Sequence, residues 1–444
     1  MLCVGNFKKN FHLSLKANQL NPMFSRIFLI FCAFLPFQFA LNPTEEIDLA
    51  VVRMIVLLFF AAIVCLAILE RKTDVFRKDK MSILIVAFLL LAAISFFFSQ
   101  DISRSLRKML FLLSLFPVYF VALFFFSQKE NTRKILAALV FGASLAAFVA
   151  IVQFAAQFFV GIDSVYAFFA KQASFFLGNS FSKTVLAHPS WLVNSSGITY
   201  MRAFAFFPDP HMFSYYMGML IPFSIALWTT SSSYKKLFFV SSSLLIIADI
   251  LSFTRGSYVA LISGCLMALP FATKHAAKRL IFAATFLSIL FFAIPHSPIS
   301  QRFASSFNPD EGSNTERMNN WQQALSIIVA NPMGIGIGNY SLAINPNVAY
   351  RTPIYAHNLY LDIAAELGVA AVAIFIAILY LTFSNFIKAG KENALFVAGI
   401  SSMTIFAVHS LVETPLYSVH VLTLFLIIAA FAAASQKYEK TADN

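Results

Sequence analysis

Apolar runs long enough to cross a bilayer recur along nearly all of this 444-residue chain, and they leave few folds open. Twelve runs are expected as spanning helices, at about 24–41, 50–69, 81–98, 109–126, 134–160, 211–228, 236–251, 256–271, 279–294, 367–386, 394–410 and 417–434. Each is near the roughly 20 residues that a spanning helix needs. Hydrocarbon offers the backbone no hydrogen-bond partner, so such runs must bond internally as helices. The expected fold is an all-α polytopic membrane protein with about 12 transmembrane helices and a single integral membrane domain over 1–444. Charged residues make up 12% of the chain, about half the share in a soluble domain. The net charge of +12 does not point to nucleic acid, because the lysines and arginines sit in short loops between apolar runs. Cys3 lies in the basic N-terminal tail and Cys32, Cys65 and Cys265 lie in apolar runs, so neither a disulfide nor a metal knuckle is expected. The first run follows a basic tail but lacks a small-residue cleavage site, and it is expected to be retained.

Placing the N-terminus inside puts 21 of the 32 lysines and arginines on the cytoplasmic side, including the run Arg71 to Lys80, Lys235 with Lys236, and Lys274 to Arg279. This asymmetry predicts both termini in the cytoplasm. Two loops are long, about 161–210 and 295–358, and both then fall outside. Loops of that length commonly carry function on a rigid scaffold. In the second, Ser313-Asn-Thr-Glu316 has the capping-box pattern, Met318, Trp321, Leu325 and Ile328 recur at helical spacing, and Asn331-Pro332 stops the run. An amphipathic helix is expected over about 314–330, lying on the membrane or on the bundle. In the first, Phe168, Phe169, Phe175 and Phe176 suggest another interfacial segment.

Charges within hydrocarbon are costly unless paired or solvated, and they tend to mark function. Arg53, Asp249, Asp362, Glu366 and Glu413 all fall at the outer half of the expected bundle, at the level of His211, Arg255, His357 and His409. One-sided polarity fits a cavity open to the outer leaflet, whereas a channel or proton-coupled carrier needs polar groups through the full depth. Helix-end caps and surface pairs are the structural alternative, and His188 and His296 are assigned to it.

His357-Asn358 opens the tenth run. A histidine there suits a general base on a hydroxyl nucleophile, and free amides at the helix start attract anions. Asp362 and Glu366 are four residues apart on one face, placed to orient an imidazole or hold a sugar hydroxyl. Arg202, Arg255 and Arg317 are candidate phosphate ligands through bidentate charged hydrogen bonds. Arg202 precedes the stiff Pro208-Asp209-Pro210 turn into His211. Arg255 lies in a short outer turn, with Asp249 as its expected partner. Arg317 falls in the first turn of the amphipathic helix, where the macrodipole disfavours a cation, and a ligand is expected to explain it. Gly334-Ile-Gly336-Ile-Gly338 has the wrong spacing for a dinucleotide loop and reads as a flexible turn with close backbone approach. No metal-ligand cluster is visible beyond Asp209 with His211, so neither metal nor cofactor is expected.

These pieces, in this order, resemble the bacterial O-antigen ligase and O-antigen polymerase superfamily over roughly 200–435. The resemblance rests on Arg202 before a Pro-x-Pro-His turn, Thr254-Arg255-Gly256, Glu316-Arg317 with Trp321, and Asn331-Pro332 with Gly334-x-Gly336-x-Gly338-Asn339-Tyr340. It ends on His357-Asn358, nine residues and Gly368. The ligase pattern is not met at Ala371, nor at His211, where the turn usually ends in asparagine. The resemblance implies a C-type membrane glycosyltransferase architecture with two long periplasmic loops, in the bacterial inner membrane. It implies metal-free transfer of a glycan from undecaprenyl pyrophosphate to an acceptor hydroxyl. The acceptor would be lipid A core oligosaccharide, another lipid-linked glycan or a protein. His357 would be catalytic, with Arg202, Arg255, Arg317, Asn358, Asp362, Glu366 and His211 binding substrate. Polymerisation of lipid-linked repeat units and transport of lipid-linked sugars are the alternatives.

Overall fold

The computed structural model describes residues 17–45, 47–69, 79–187, 190–195, 197–271, 298–304, 312–350, 352, 354–390 and 393–440. Eleven of the twelve expected runs coincide with described helices: α1 (Ala17–Phe34), α2 (Val51–Leu69), α3 (Lys80–Ile94), α4 (Ile102–Leu115) continued by α5 (Pro117–Phe126), α6 (Lys129–Val160), α9 (Pro210–Thr230), α10 (Lys235–Leu251), α11 (Arg255–Ala268), α16 (Val369–Lys388), α17 (Ala394–His409) and α18 (Val419–Lys440). The run at 279–294 lies outside the described residues, as do His188 and His296. Among the described residues, seven helical segments are both long and apolar enough to cross a membrane. The fourth run breaks at Pro117, which has no N–H to continue the ladder and instead takes the first position of α5. The fifth is one unbroken helix of 32 residues.

Hydrocarbon supplies little hydrophobic drive between helices, so close van der Waals contact has to hold them together. Gly142 on α6 lies so close to the backbone of Ala33 on α1 that any β-carbon would collide with it. The last helix is the central stave: 89% of its apolar window is buried, against 22% for α2. The other side of α2 faces lipid through Leu57, Leu58 and Ile68.

The first long loop folds into α7 (Ile162–Leu177), α8 (Asn179–Ala187) and an antiparallel ribbon of β1 (Leu192–Ser195) with β2 (Ile198–Met201). In α7, Phe169 and Phe176 are buried while Phe168 and Phe175 are 61% and 60% exposed, which is a two-faced, interfacial helix. The second long loop holds α12 (Pro298–Ala304), α13 (Gly312–Ala330) and α14 (Tyr340–Ile344), and leads into α15 (Leu359–Leu367). The expected amphipathic helix is present as α13, but three local expectations change. The helix starts at Gly312, so Ser313 is inside its first turn and not its cap. Arg317 is accordingly in the second turn. The inward face runs through Arg317, Trp321, Ala324 and Ile328, whereas Met318 and Leu325 point outward. Ala324 faces inward because only a small side chain fits the tight seam with Tyr340, Ala356 and Ala365.

The glycine-rich segment is a strap and not a flexible turn. Ile335 and Gly336 donate to the carbonyls of Ala365 and Glu366, and Ile337 donates to Ser95. Asn339 Oδ1 accepts from the Asp101 amide. Gly336, at φ 93°, packs against Ser99 where a β-carbon would collide. The strap therefore ties the α3–α4 turn to α15.

Candidate functional site

Three loops converge at one end of the bundle: residues 202–211, 252–256 and 356–358. Each contains a non-glycine residue in the left-handed region, namely Ala205 (φ 51°), Phe253 (φ 53°) and His357 (φ 51°). Among the described residues no other non-glycine residue has positive φ. Such strain persists only where surrounding contacts over-determine the backbone, and it clusters at functional sites. For the first loop those contacts come from α6, where Gln153 accepts from the amides of Phe204 and Ala205 and donates to the Arg202 carbonyl. Gln157 similarly clasps Met201. Trp191, fully buried, stacks on Phe204 and donates to the Pro208 carbonyl. Asp209 caps α9 by accepting from the Met212 amide at 2.9 Å. Burial pushes its carboxyl up to about 6.

At the centre is Glu413, a residue outside the expected site set. Its Oε1 lies 3.0 Å from Arg317 Nη2 and 3.2 Å from His211 Nδ1, and its Oε2 lies 3.3 Å from His357 Nδ1. Burial disfavours the charged carboxylate, but His211, His357 and Arg317 outweigh it and hold the group well below the usual range. The imidazole of His357 shows the reverse balance. Burial lowers its pKa, yet the hydrogen bond and charge of Glu413 raise it above the ordinary value. Donation from Nδ1–H to Glu413 fixes the tautomer, leaving the Nε2 lone pair without a partner among the described residues. The side chain is 35% exposed, so that nitrogen can be reached.

A cavity of about 50 Å³ adjoins this network, lined by His211, Arg255, Gly256, Arg302, Arg317, His409, Val412 and Glu413. Three guanidinium groups facing a small enclosed space favour an anion with several oxygens. Arg302, from α12, was not singled out from the sequence. His409, placed from the sequence at the same level but outside the expected site set, forms one wall; it is fully buried and stacked on Tyr215 with ring centres 3.7 Å apart.

The remaining expected site residues are brought to this region but are engaged in building it. Arg202 is buried and donates to the Ser252 carbonyl at 2.7 Å, the Ser190 carbonyl at 3.1 Å and Thr254 Oγ1 at 2.9 Å, with His211 Nε2 at 3.4 Å. Its fork is thereby used to join two loops and to orient His211. Burial, followed by the charge of Arg302, lowers its pKa to about 10, which leaves it charged at neutral pH. Asn358 caps α15 by accepting from the amides of Tyr360 and Leu361, and donates to the Leu411 carbonyl. The Leu359 amide goes to Ser410 and the Asp362 amide to the Asn358 carbonyl, so the helix start has no free amide for an anion. Asp362 accepts from the Ala356 amide and from Thr414, joining the His357 loop to the Glu413 turn; burial pushes its carboxyl up to about 7. Glu366 accepts from the Tyr340 amide and from Tyr417 Oη at 2.7 Å. The expected partner of Arg255, Asp249, takes the hydroxyl of Ser257 at 2.8 Å. Arg317 needs no ligand to explain it, since Glu413 is its partner.

A search of curated proteins found no significant match to the chain. A family model described as O-antigen ligase matches residues 240–376. The matched segment contains Arg255, Arg302, Arg317 and His357, while Arg202, His211 and Glu413 lie outside it. Over that segment, under a third of its length, the chain is similar to the O-antigen ligase family, and the helical membrane architecture agrees with that likeness.

Proposed function

We propose that this protein transfers a glycan from undecaprenyl pyrophosphate to the hydroxyl of a lipid A core oligosaccharide or similar acceptor, at the periplasmic face of the inner membrane. The family match supports glycan transfer of the O-antigen ligase or polymerase type. The observation that carries the finer reading is the His357–Glu413 pair beside an arginine-lined cavity. His357 Nε2 takes the proton of the acceptor hydroxyl as its oxygen attacks the anomeric carbon. The bond from that carbon to the pyrophosphate breaks, and the electron pair leaves with the phosphate. Arg255, Arg302 and Arg317 supply the positive field for the departing charge, the task a metal performs elsewhere. Glu413 holds the imidazole in its basic tautomer and stabilises the imidazolium that forms. The lysine and arginine distribution supports cytoplasmic termini with 161–210 and 295–358 in the periplasm.

The test is transfer by purified protein with a lipid-linked donor. His357→Ala is expected to lower turnover by about 10²–10⁴-fold, the usual scale for loss of a general base, with donor binding little changed. Near-normal transfer by that variant would remove His357 from the reaction. In a deletion strain, gels of lipopolysaccharide lacking all attached polymer support the ligase, whereas a single attached unit assigns the chain as a polymerase.

A further inference from the structure

A second cationic surface, sharing no residue with the arginine-lined cavity, adjoins the segment that leads to His357. α4 carries Arg104, Arg107 and Lys108 within little more than one turn, and Arg53 of α2 joins them. The three on α4 meet three tyrosines from the loops that build the site. The guanidinium carbons of Arg104 and Arg107 lie 5.8 and 5.0 Å from the ring centre of Tyr350. Lys108 Nζ lies 3.4 Å from that of Tyr417 and 5.7 Å from that of Tyr355. Tyr355 is two residues before His357, and Tyr417 is four after Glu413 and bonded to Glu366.

Two of these cations, Arg53 and Arg107, are not paired with a carboxylate among the described residues. Asp101 pairs with Arg104 at 3.2 Å. Arg53 donates to the Ser114 hydroxyl and the Leu110 carbonyl, both uncharged, and Arg107 is exposed over a ring. The lipid-facing stripe of α4 is Ile102, Leu106, Leu110 and Leu113, all 43–67% exposed, and Arg53 reaches the Leu110 carbonyl at its side. Cations serving bulk lipid headgroups would snorkel beside that stripe. Arg107 and Lys108 instead lean on tyrosines beside the His357 and Glu413 segments, whereas Arg53 lies over Phe111 of α4 itself.

We infer that this ledge of Arg53, Arg107 and Lys108 with Tyr350, Tyr355 and Tyr417 binds the acceptor, and that the acceptor is a lipid-anchored saccharide bearing phosphate or other acidic groups. The inference rests on His357 as the base. The donor diphosphate then occupies the arginine-lined cavity, and the acceptor's charge is read on the ledge.

Binding measured without turnover tests this independently of the reaction. The full chain in nanodiscs is titrated with a purified lipid A core glycolipid, before and after its phosphates are removed with hydrofluoric acid. Arg107→Ala and Lys108→Met are each expected to weaken binding of the phosphorylated form about 10-fold, as expected for loss of one charged hydrogen bond. Methionine keeps the aliphatic stem that packs beside Gly338. Arg107→Lys should recover part of the loss, and the dephosphorylated form should bind variants and wild type alike. Equal weakening of both forms, or no weakening, overturns the proposal. So does an equal loss of binding for the lipid-linked donor, or displacement of the acceptor by phosphatidylglycerol vesicles at matched phosphate. If His357→Ala keeps full transfer while these binding results hold, the base assignment fails and the ledge stands.

Discussion

Replacing Glu413 by glutamine should move the pH profile of transfer, because this carboxylate sets the basicity of His357. It contacts His357 at 3.3 Å, Arg317 at 3.0 Å and His211 at 3.2 Å from a side chain only 8% exposed. Burial alone would lower the His357 pKa; the hydrogen bond and charge of Glu413 reverse that and leave it raised. The neutral imidazole is the base, so the wild-type rate should rise with pH through a value above the ordinary 6.5 or so. Glutamine retains the shape but removes the charge, leaving burial and Arg317 to lower the pKa with only Asp362 opposing them. A hydrogen bond to a charged group contributes about 1.5–3 kcal/mol. Loss of a contribution of that kind should shift the limb toward lower pH. The plateau should also fall, by about 10-fold or more, because a weaker base held less firmly transfers the proton less well. The assay is kcat/KM for transfer from a lipid-linked donor between about pH 5 and pH 9, with thermal unfolding in detergent to confirm that the variant is folded. A lowered plateau with an unmoved limb would refute the reasoning, since either His357 would not be the titrating group or Glu413 would not be its charge partner.

Arg317→Ala should weaken donor binding by about 2–4 kcal/mol, on the scale of losing one side of a charged hydrogen-bonded pair, and Arg317→Lys should restore only part; undiminished donor affinity in the alanine variant would exclude this residue. Arg202→Ala should act mainly through folding, lowering the unfolding temperature, because its donors join three backbone or side-chain partners in two loops; a normal unfolding temperature with lost donor binding would return it to the binding surface. Transfer should persist in EDTA, since arginines are placed to take the electrostatic role of a cation; loss of activity restored by Mg²⁺ or Mn²⁺ counts against this. A cysteine introduced at Ser313 should label from the periplasm without permeabilisation of the inner membrane; labelling only after permeabilisation would invert the proposed topology.

Much of this protein was legible from local pattern. Apolar run length determined which segments are helices, since lipid forces each run to satisfy its own backbone. The chemistry of His357, Arg255 and Arg317 was readable because residue type alone limits what an imidazole or guanidinium can do. Tertiary structure decided how the polar groups are spent. Arg202, Asn358, Asp362 and Glu366 carry the right chemistry for a ligand, yet their hydrogen-bonding capacity is taken up by loops and helix ends. Glu413 stood out from the sequence as a charge at the outer half, but its partners were hidden for a related reason. Glu413 is 56 residues from His357 and 96 from Arg317, so no spacing rule links them. Buried polar groups must find partners wherever the fold places them, and only the packing of helices distant in sequence determines which partners those are.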